Sequence, residues 1–170
     1  MKFKNILKKS LLVLAVLLII MQFFKPAKNE SGIKVNSIAS IYSVPEPIDV
    51  ILTIACNDCH SNKTVYPWYA NIQPVAWWLN DHVEEGKRKL NFDEFAKYPH
   101  YRQYHKLEEL IEEVEESEMP LYSYTIIHGD AKLSDAQKTE LIDWAKGIRL
   151  KMEITLPSDS LINPKKRKQS

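Results

Sequence analysis

The chain has 170 residues, of which 45% are apolar and 26% charged, and its formal net charge is +1. That length suits one small domain with flanking segments. The charge is unevenly spread: residues 47–150 carry 11 Lys/Arg against 18 Asp/Glu, while the two flanks carry 12 against 4. A net of −7 on the folded part, with the basic residues on its arms, argues against nucleic acid as a partner.

The first element is a basic, then apolar, N-terminus. Lys2, Lys4, Lys8 and Lys9 precede a run from Leu11 to Phe24 in which Gln22 is the only polar residue. Such a segment is either a cleaved export signal or a retained anchor. The run ends in Met21-Gln22-Phe23-Phe24-Lys25-Pro26, without the small-residue pattern of a cleavage site, which favours an uncleaved membrane anchor over residues 1–25. Fourteen helical residues cover about 21 Å of a hydrocarbon core about 30 Å thick. Ile6 and Leu7 would extend the run, and Lys8, Lys9 and Lys25 could snorkel. The basic flank predicts the N-terminus inside and the rest outside. The expected location is therefore a membrane with the domain on its outer side, or the space outside that membrane after cleavage.

Residues 26–46 read as a linker, with Pro26, Asn29, Ser31, Gly32, Ser37, Ser40, Ser43 and Pro45 spread along it. Fully extended it would reach at most about 70 Å, enough for a tethered domain to swing.

Residues 47–150 read as one all-α domain. Pro47 suits a first helical turn, and Ile48, Ile51, Leu52 and Ala55 make an apolar stripe leading into Cys56. There the chain reads Cys56-Asn-Asp-Cys59-His60. This C-x-x-C-H pattern is the attachment motif of a c-type haem. On one helical turn, two thiols three residues apart can reach the vinyl groups on one side of a porphyrin, and the following imidazole can reach the iron. The rival readings fit less well. A structural zinc site wants four ligands, usually in two pairs, and no second pair exists. A thioredoxin-type site would follow a strand in a βαβ pattern, which is absent nearby. A Cys56–Cys59 disulfide would close a tiny loop and stabilise little.

Further along, Pro74 opens a helix from Val75 to about Lys89 carrying Trp77, Trp78 and His82. A short helix over Asp93–Lys97 is stopped by Pro99. His105–Ser117 is amphipathic, with Leu107, Leu110, Ile111 and Val114 on one face and six glutamates elsewhere. The glutamates read as a solvated face. Ser134 and Gln137 form a capping box that starts a last helix, Asp135–Leu150. Residues 151–170 read as a mostly disordered basic tail.

An iron held by His60 needs a second axial ligand or an open position. Met119, in Glu118-Met119-Pro120, is the leading candidate. A thioether there would raise the reduction potential, and Pro120 would stiffen the backbone beside it. A loop methionine that merely packs is the rival reading. His82, His128, His105 and His100 are the alternative ligands.

The stretch from Cys56 to Tyr69, Cys-Asn-Asp-Cys-His-Ser-Asn-Lys-Thr-Val-Tyr-Pro-Trp-Tyr, resembles a bacterial haem-binding domain family related to class I cytochromes c. Trp77-Trp78, His82, Gly86, Leu90-Asn91-Phe92, Met119-Pro120, Tyr122-Ser123-Tyr124 and the Lys132–Trp144 segment extend the likeness over residues 47–147. It implies covalent haem c on Cys56, Cys59 and His60, a cytochrome-c-like helical fold, and export, so that the expected location is the bacterial inner membrane with the domain in the periplasm, or the soluble periplasm after cleavage. The expected function is a membrane-tethered monohaem electron carrier, ligated by His60 and Met119, exchanging electrons with periplasmic or membrane redox proteins. The alternative is a haem-based sensor, or an accessory haem domain of a peroxidase, with an open or displaceable sixth position. No catalytic constellation stands out, so an enzyme is the weaker expectation.

Overall fold

The computed structural model describes residues 2–167 and is helical throughout, with no strand among the described residues. Eight α-helices follow in chain order: α1 (Lys2–Met21), α2 (Glu46–Ala55), α3 (Asn57–His60), α4 (Val75–Lys89), α5 (His100–Glu115), α6 (Tyr122–Thr125), α7 (Asp135–Thr155) and α8 (Pro164–Arg167). Short 3-10 turns lie between them, among them Phe92–Lys97, where the sequence predicts a short helix.

The core forms where the apolar stripes of α2, α5 and α7 meet. Ile48, Ile51 and Leu52 from α2 face Leu107, Leu110, Ile111 and Val114 from α5, and Leu141, Ala145, Ile148 and Met152 from α7. Each large side chain fully withdrawn from water there contributes about 1.5–3 kcal/mol. Phe92 and Phe95 close one end of this core. The Ser134 capping box is present: Gln137 N–H donates to Ser134 Oγ at 3.3 Å and Ser134 N–H to Gln137 Oε1 at 3.0 Å. This satisfies two backbone donors that would otherwise be orphaned.

Two expectations about the arms are corrected. Residues 26–46 are not a free linker but a strap folded onto the body. Asn29 and Ile38 are buried, at 7% and 3% exposure. Asn29 Nδ2 donates to Ser61 O and Thr64 Oγ1, Thr64 N–H donates to Asn29 O, and Gly32 N–H donates to Asn62 O. Further on, Ala96 N–H donates to Asn36 O and Trp144 Nε1 to Ser43 O. The small polar residues that resemble a linker here complete the hydrogen bonds of a neighbouring loop. Gly32, at φ +60°, supplies the left-handed turn the strap needs.

Likewise, the segment after residue 150 begins as helix. α7 runs five residues past Leu150 to Thr155, Met152 is buried, and Leu156 and Leu161 pack on the core. Residues 168–170, the end of the expected tail, lie outside the described residues.

Along α1, the side chains of residues 3–20 are all exposed. The helix stops at Met21, so Gln22, Phe23 and Phe24 continue the apolar run as a turn. No helix among the described residues is long and apolar enough to cross a membrane.

Candidate functional site

Helix α2 breaks at Cys56, whose φ of −124° leaves helical geometry, and a single turn, α3, begins at once. Cys59 N–H and His60 N–H both donate to Cys56 O, at 3.2 and 2.9 Å. The motif thus sits on one compact turn. Cys56, Cys59 and His60 all line a cavity of about 660 Å3, a volume typical of small-molecule and cofactor sites.

His60 is oriented by the chain segment after α4. Its Nδ1 lies 3.0 Å from Leu90 O. A carbonyl can only accept, so Nδ1 carries the proton and Nε2 keeps its lone pair. This is the carbonyl-oriented arrangement usual for a metal-ligating histidine. Phe92 meets the ring edge-on, at 6.4 Å between centroids. Burial holds the imidazole below its ordinary pKa, against the backbone hydrogen bonds that favour its protonated form; the Lys106 charge pushes the same way as burial. A neutral imidazole is the form that can ligate a metal.

The segment that carries Leu90 is itself pinned to the motif by a buried polar network. Asn62 N–H donates to Asp93 Oδ2 at 2.8 Å, Asn91 Nδ2 to Asn62 Oδ1 at 2.8 Å, and Asp93 N–H to Asn91 Oδ1 at 3.0 Å. Asn62 Nδ2 reaches Ile33 O on the strap. Every member of this network has partners, so burial does not penalise it.

Both thiols are free. Burial pushes Cys56 up to about 12, with Cys59 adding to the shift, and Cys59 up to about 11, with the Asp58 carboxylate adding. They are therefore thiols at neutral pH, slow in disulfide exchange. Between them, Asp58 is tied down on three sides. Its Oδ2 accepts from Tyr124 Oη at 2.7 Å, its Oδ1 from Val65 N–H at 2.8 Å, and its carbonyl from Thr64 Oγ1 at 2.6 Å. Tyr124 is raised above its ordinary pKa by burial and by that bond.

Met119 lines the same cavity. Ser117 at φ +64° reverses the chain after α5, and Glu118 N–H and Met119 N–H then both donate to Glu113 O. This is a left-handed helix end of the usual kind, with serine in place of glycine. Of the rival histidines, only His82 lines this cavity; its Nδ1 donates to Trp78 O at 2.8 Å and its ring lies 4.3 Å from that of Trp78. His128 faces a smaller neighbouring pocket, shares a 3.1 Å hydrogen bond with Tyr69 Oη and stacks on Tyr124. His100 and His105 are exposed on α5, and His105 pairs with Glu108 and Glu109.

The cavity's remaining walls include Leu90, Phe92, Leu110 and Leu121, the cation Lys89, the Lys106–Glu109 ion pair, and the carboxylates of Glu85 and Glu113. A largely apolar slot carrying two thiols, the His60 and His82 imidazoles, a thioether and the Lys89 ammonium fits an iron porphyrin with its vinyls, metal and carboxylates. Sequence inspection missed the Leu90 carbonyl, Asp58, and the Asn62–Asn91–Asp93 network. Asn62, two residues past His60, was the available signal.

Comparison with known families agrees with this chemistry. A family model described as a haem-binding domain matches residues 16–147. The match begins inside α1 and includes the whole strap, which the resemblance drawn from motifs alone leaves out. No curated protein and no solved structure matches the chain.

Proposed function

Because the chain belongs to the haem-binding domain family and binds haem, we propose that it is a membrane-tethered c-type monohaem cytochrome that carries single electrons. The observation that supports this best is that Met119, far along the chain from the Cys56–Cys59–His60 motif, lines one cavity with it. Cys56 and Cys59 would hold the group through thioether bonds, and His60 Nε2 and Met119 Sδ would ligate the iron. The haem supplies one-electron redox chemistry when bound. The protein's own residues do the rest. Leu90 O orients His60, the apolar walls exclude water, and Lys89 offers a counter-charge for a carboxylate. A methionine ligand would favour reduced iron and a higher potential.

The tether is α1. Its apolar half is exposed, and the basic residues Lys4, Lys8 and Lys9 precede it. Those long side chains would snorkel to the inner headgroups, so that a short apolar stretch still seats in the bilayer with the domain outside. The acidic domain would meet a basic face on a periplasmic or membrane-bound redox partner.

A pyridine haemochrome assay on protein made with a cytochrome maturation system tests covalent attachment. The expected result is a c-type spectrum that resists acid-acetone extraction and is lost in Cys56→Ala/Cys59→Ala. Extractable haem would overturn the c-type reading. His82, on the same cavity wall, makes a bis-histidine site the competing ligation. A weak near-infrared sulfur-to-iron band in the oxidised protein supports Met119; a low-spin spectrum without it supports His82. A high-spin spectrum that shifts with carbon monoxide would instead point to a sensor.

A further inference from the structure

The end of α1 does not swing free of the domain. Gln73 N–H donates to Gln22 Oε1 at 2.9 Å, Gln22 Nε2 donates back to Gln73 O at 3.3 Å, and Gln73 Nε2 donates to Phe24 O at 2.7 Å. Gln73 is buried. Its remaining acceptor, Oε1, takes the N–H of Trp77 in the first turn of α4 at 3.3 Å. One side chain therefore joins the C-terminal end of α1 to the N-terminal end of α4.

Around that joint the surface is apolar and aromatic. Ile72, Val75, Trp77 and Trp78 are exposed on the α4 side, the two tryptophans at 41% and 46%, and Phe23 and Phe24 are exposed on the α1 side. Lys25 and Lys28 border a small notch beside it, with Tyr66 and Ala76. Exposed apolar patches of this kind mark interaction surfaces. Tryptophan at the end of an apolar helix, with lysine beside it, is the composition of a membrane–water interface, and the lysines suit anionic headgroups.

We propose that the Ile72–Trp78 face lies in the lipid interface, and that Gln73 docks the haem domain flat on the membrane at the end of α1. This rests on the reading of α1 as the membrane tether. The occupant is lipid because the patch is continuous with the exposed apolar run of α1, and a surface that accepts one accepts the other. Docking has a consequence for the cofactor cavity. The Trp78 ring packs on His82, which lines that cavity, so one wall of the haem site stands a single aromatic contact from the membrane surface. A redox partner would then lie in or on the same membrane.

The test is hydroxyl-radical footprinting of the full-length holoprotein in nanodiscs of phosphatidylethanolamine and phosphatidylglycerol, with oxidation read by mass spectrometry. The reference is the rate of each tryptophan in the same holoprotein without lipid, because Trp77 and Trp78 are themselves only 41% and 46% exposed. The expected result is Trp77 and Trp78 oxidised several-fold more slowly in nanodiscs than in the lipid-free holoprotein. That protection should diminish in Gln22→Ala, which removes two of the joint's three hydrogen bonds and leaves the Gln73 bond to Trp77 intact. Oxidation of Trp77 and Trp78 in loaded nanodiscs at the lipid-free rate overturns the docking but leaves the tether standing. Failure of the chain to enter nanodiscs at all overturns the tether, and the docking with it. Equal protection in a lipid-free sample that sediments as a dimer assigns the face to a second copy and also overturns the proposal.

Discussion

A β-carbon placed on Gly86 would stand 2.7 Å from the carbonyl oxygen of Cys59 and 2.9 Å from its Cβ. Helix α4 thus touches the C-x-x-C-H turn backbone to backbone, and the absent side chain sets how close they come. Overpacking of this kind costs about 1–3 kcal/mol, and the helical gain from replacing glycine by alanine returns only about 1 kcal/mol. Gly86→Ala is expected to lower stability and to reduce the fraction of chains carrying covalent haem. Gly147→Ala is the control: nothing lies within 4 Å of its added carbon, in the interior of exposed α7 surface. That variant should gain about 0.5–1 kcal/mol. Urea midpoints and the haemochrome yield read both. A Gly86→Ala protein with wild-type values would show that the contact does not matter.

Met119 gives the second prediction. If its sulfur ligates the iron, Met119→Ala abolishes the near-infrared band, and Met119→His yields a low-spin protein of lower reduction potential. His82→Ala should leave the band in place. A wild-type low-spin spectrum that lacks the band, and that turns high-spin in His82→Ala but not in Met119→Ala, would reverse the assignment. Potentiometric titration with absorption spectroscopy measures both.

How much of this was legible in advance follows from the range of the forces involved. The motif turn, the Val75–Lys89 helix and the Ser134 cap are local patterns, and the structure places each where the sequence puts it. His60, Cys56, Cys59 and Met119 were candidates on chemistry alone, and they do share a cavity. What the sequence hid was non-local. Nothing in the run from Pro26 to Glu46 shows that Asn29 closes the backbone of the 61–64 loop, because a buried asparagine and a linker asparagine are the same letter. The extra turns of α7 were hidden likewise: Met152 is a core residue only because α5 lies beside it.

Asp93 carries the third prediction. Its carboxylate accepts the Asn62 N–H in a buried site. Asp93→Ala leaves that N–H without an acceptor, at a cost of about 1–3 kcal/mol, and loosens the segment that presents Leu90 O to His60. Lower stability is expected together with broadened haem resonances in the paramagnetic NMR spectrum. Asp93→Asn keeps an acceptor oxygen and should recover most of both. A variant as disordered as Asp93→Ala would show that charge, not hydrogen bonding, is what matters there.

The pH dependence of the α5–α7 contact can be worked out at Glu108. Its hydrogen bond with His105 and then the Arg149 charge hold its carboxyl below the ordinary value, and Glu108 Oε1 accepts from Arg149 Nη2 at 2.8 Å. A group whose pKa falls on folding stabilises the native state fully above its unfolded pKa, about 4.3. That contribution disappears as pH drops through the lower folded value. Glu108→Gln should therefore be less stable than wild type at pH 7, and the gap should close below about pH 4. The pair is partly exposed, so the gap is small. Urea midpoints across pH 3–7 test it; a gap that stays constant to pH 3 would contradict the assignment.

The strap supports the last prediction, which separates a tether from a structural segment. A protein beginning at residue 26 loses α1 and the Gln22 joint but keeps Asn29, Ile38 and Trp144's partner Ser43. A protein beginning at residue 47 loses all three. The second truncation bares the surface that Ile38 covers, worth about 1.5–3 kcal/mol. It also removes the acceptor of the Thr64 N–H beside the C-x-x-C-H turn, and leaves Asn62 Nδ2 without Ile33 O. With a cleavable export signal supplied to both, the first truncation should melt close to the full chain and load haem normally. The second should melt several degrees lower and load poorly. Equal melting temperatures would mean that residues 26–46 are dispensable to the fold. The family match argues against that, since it runs unbroken from residue 16 through the strap to the haem motif.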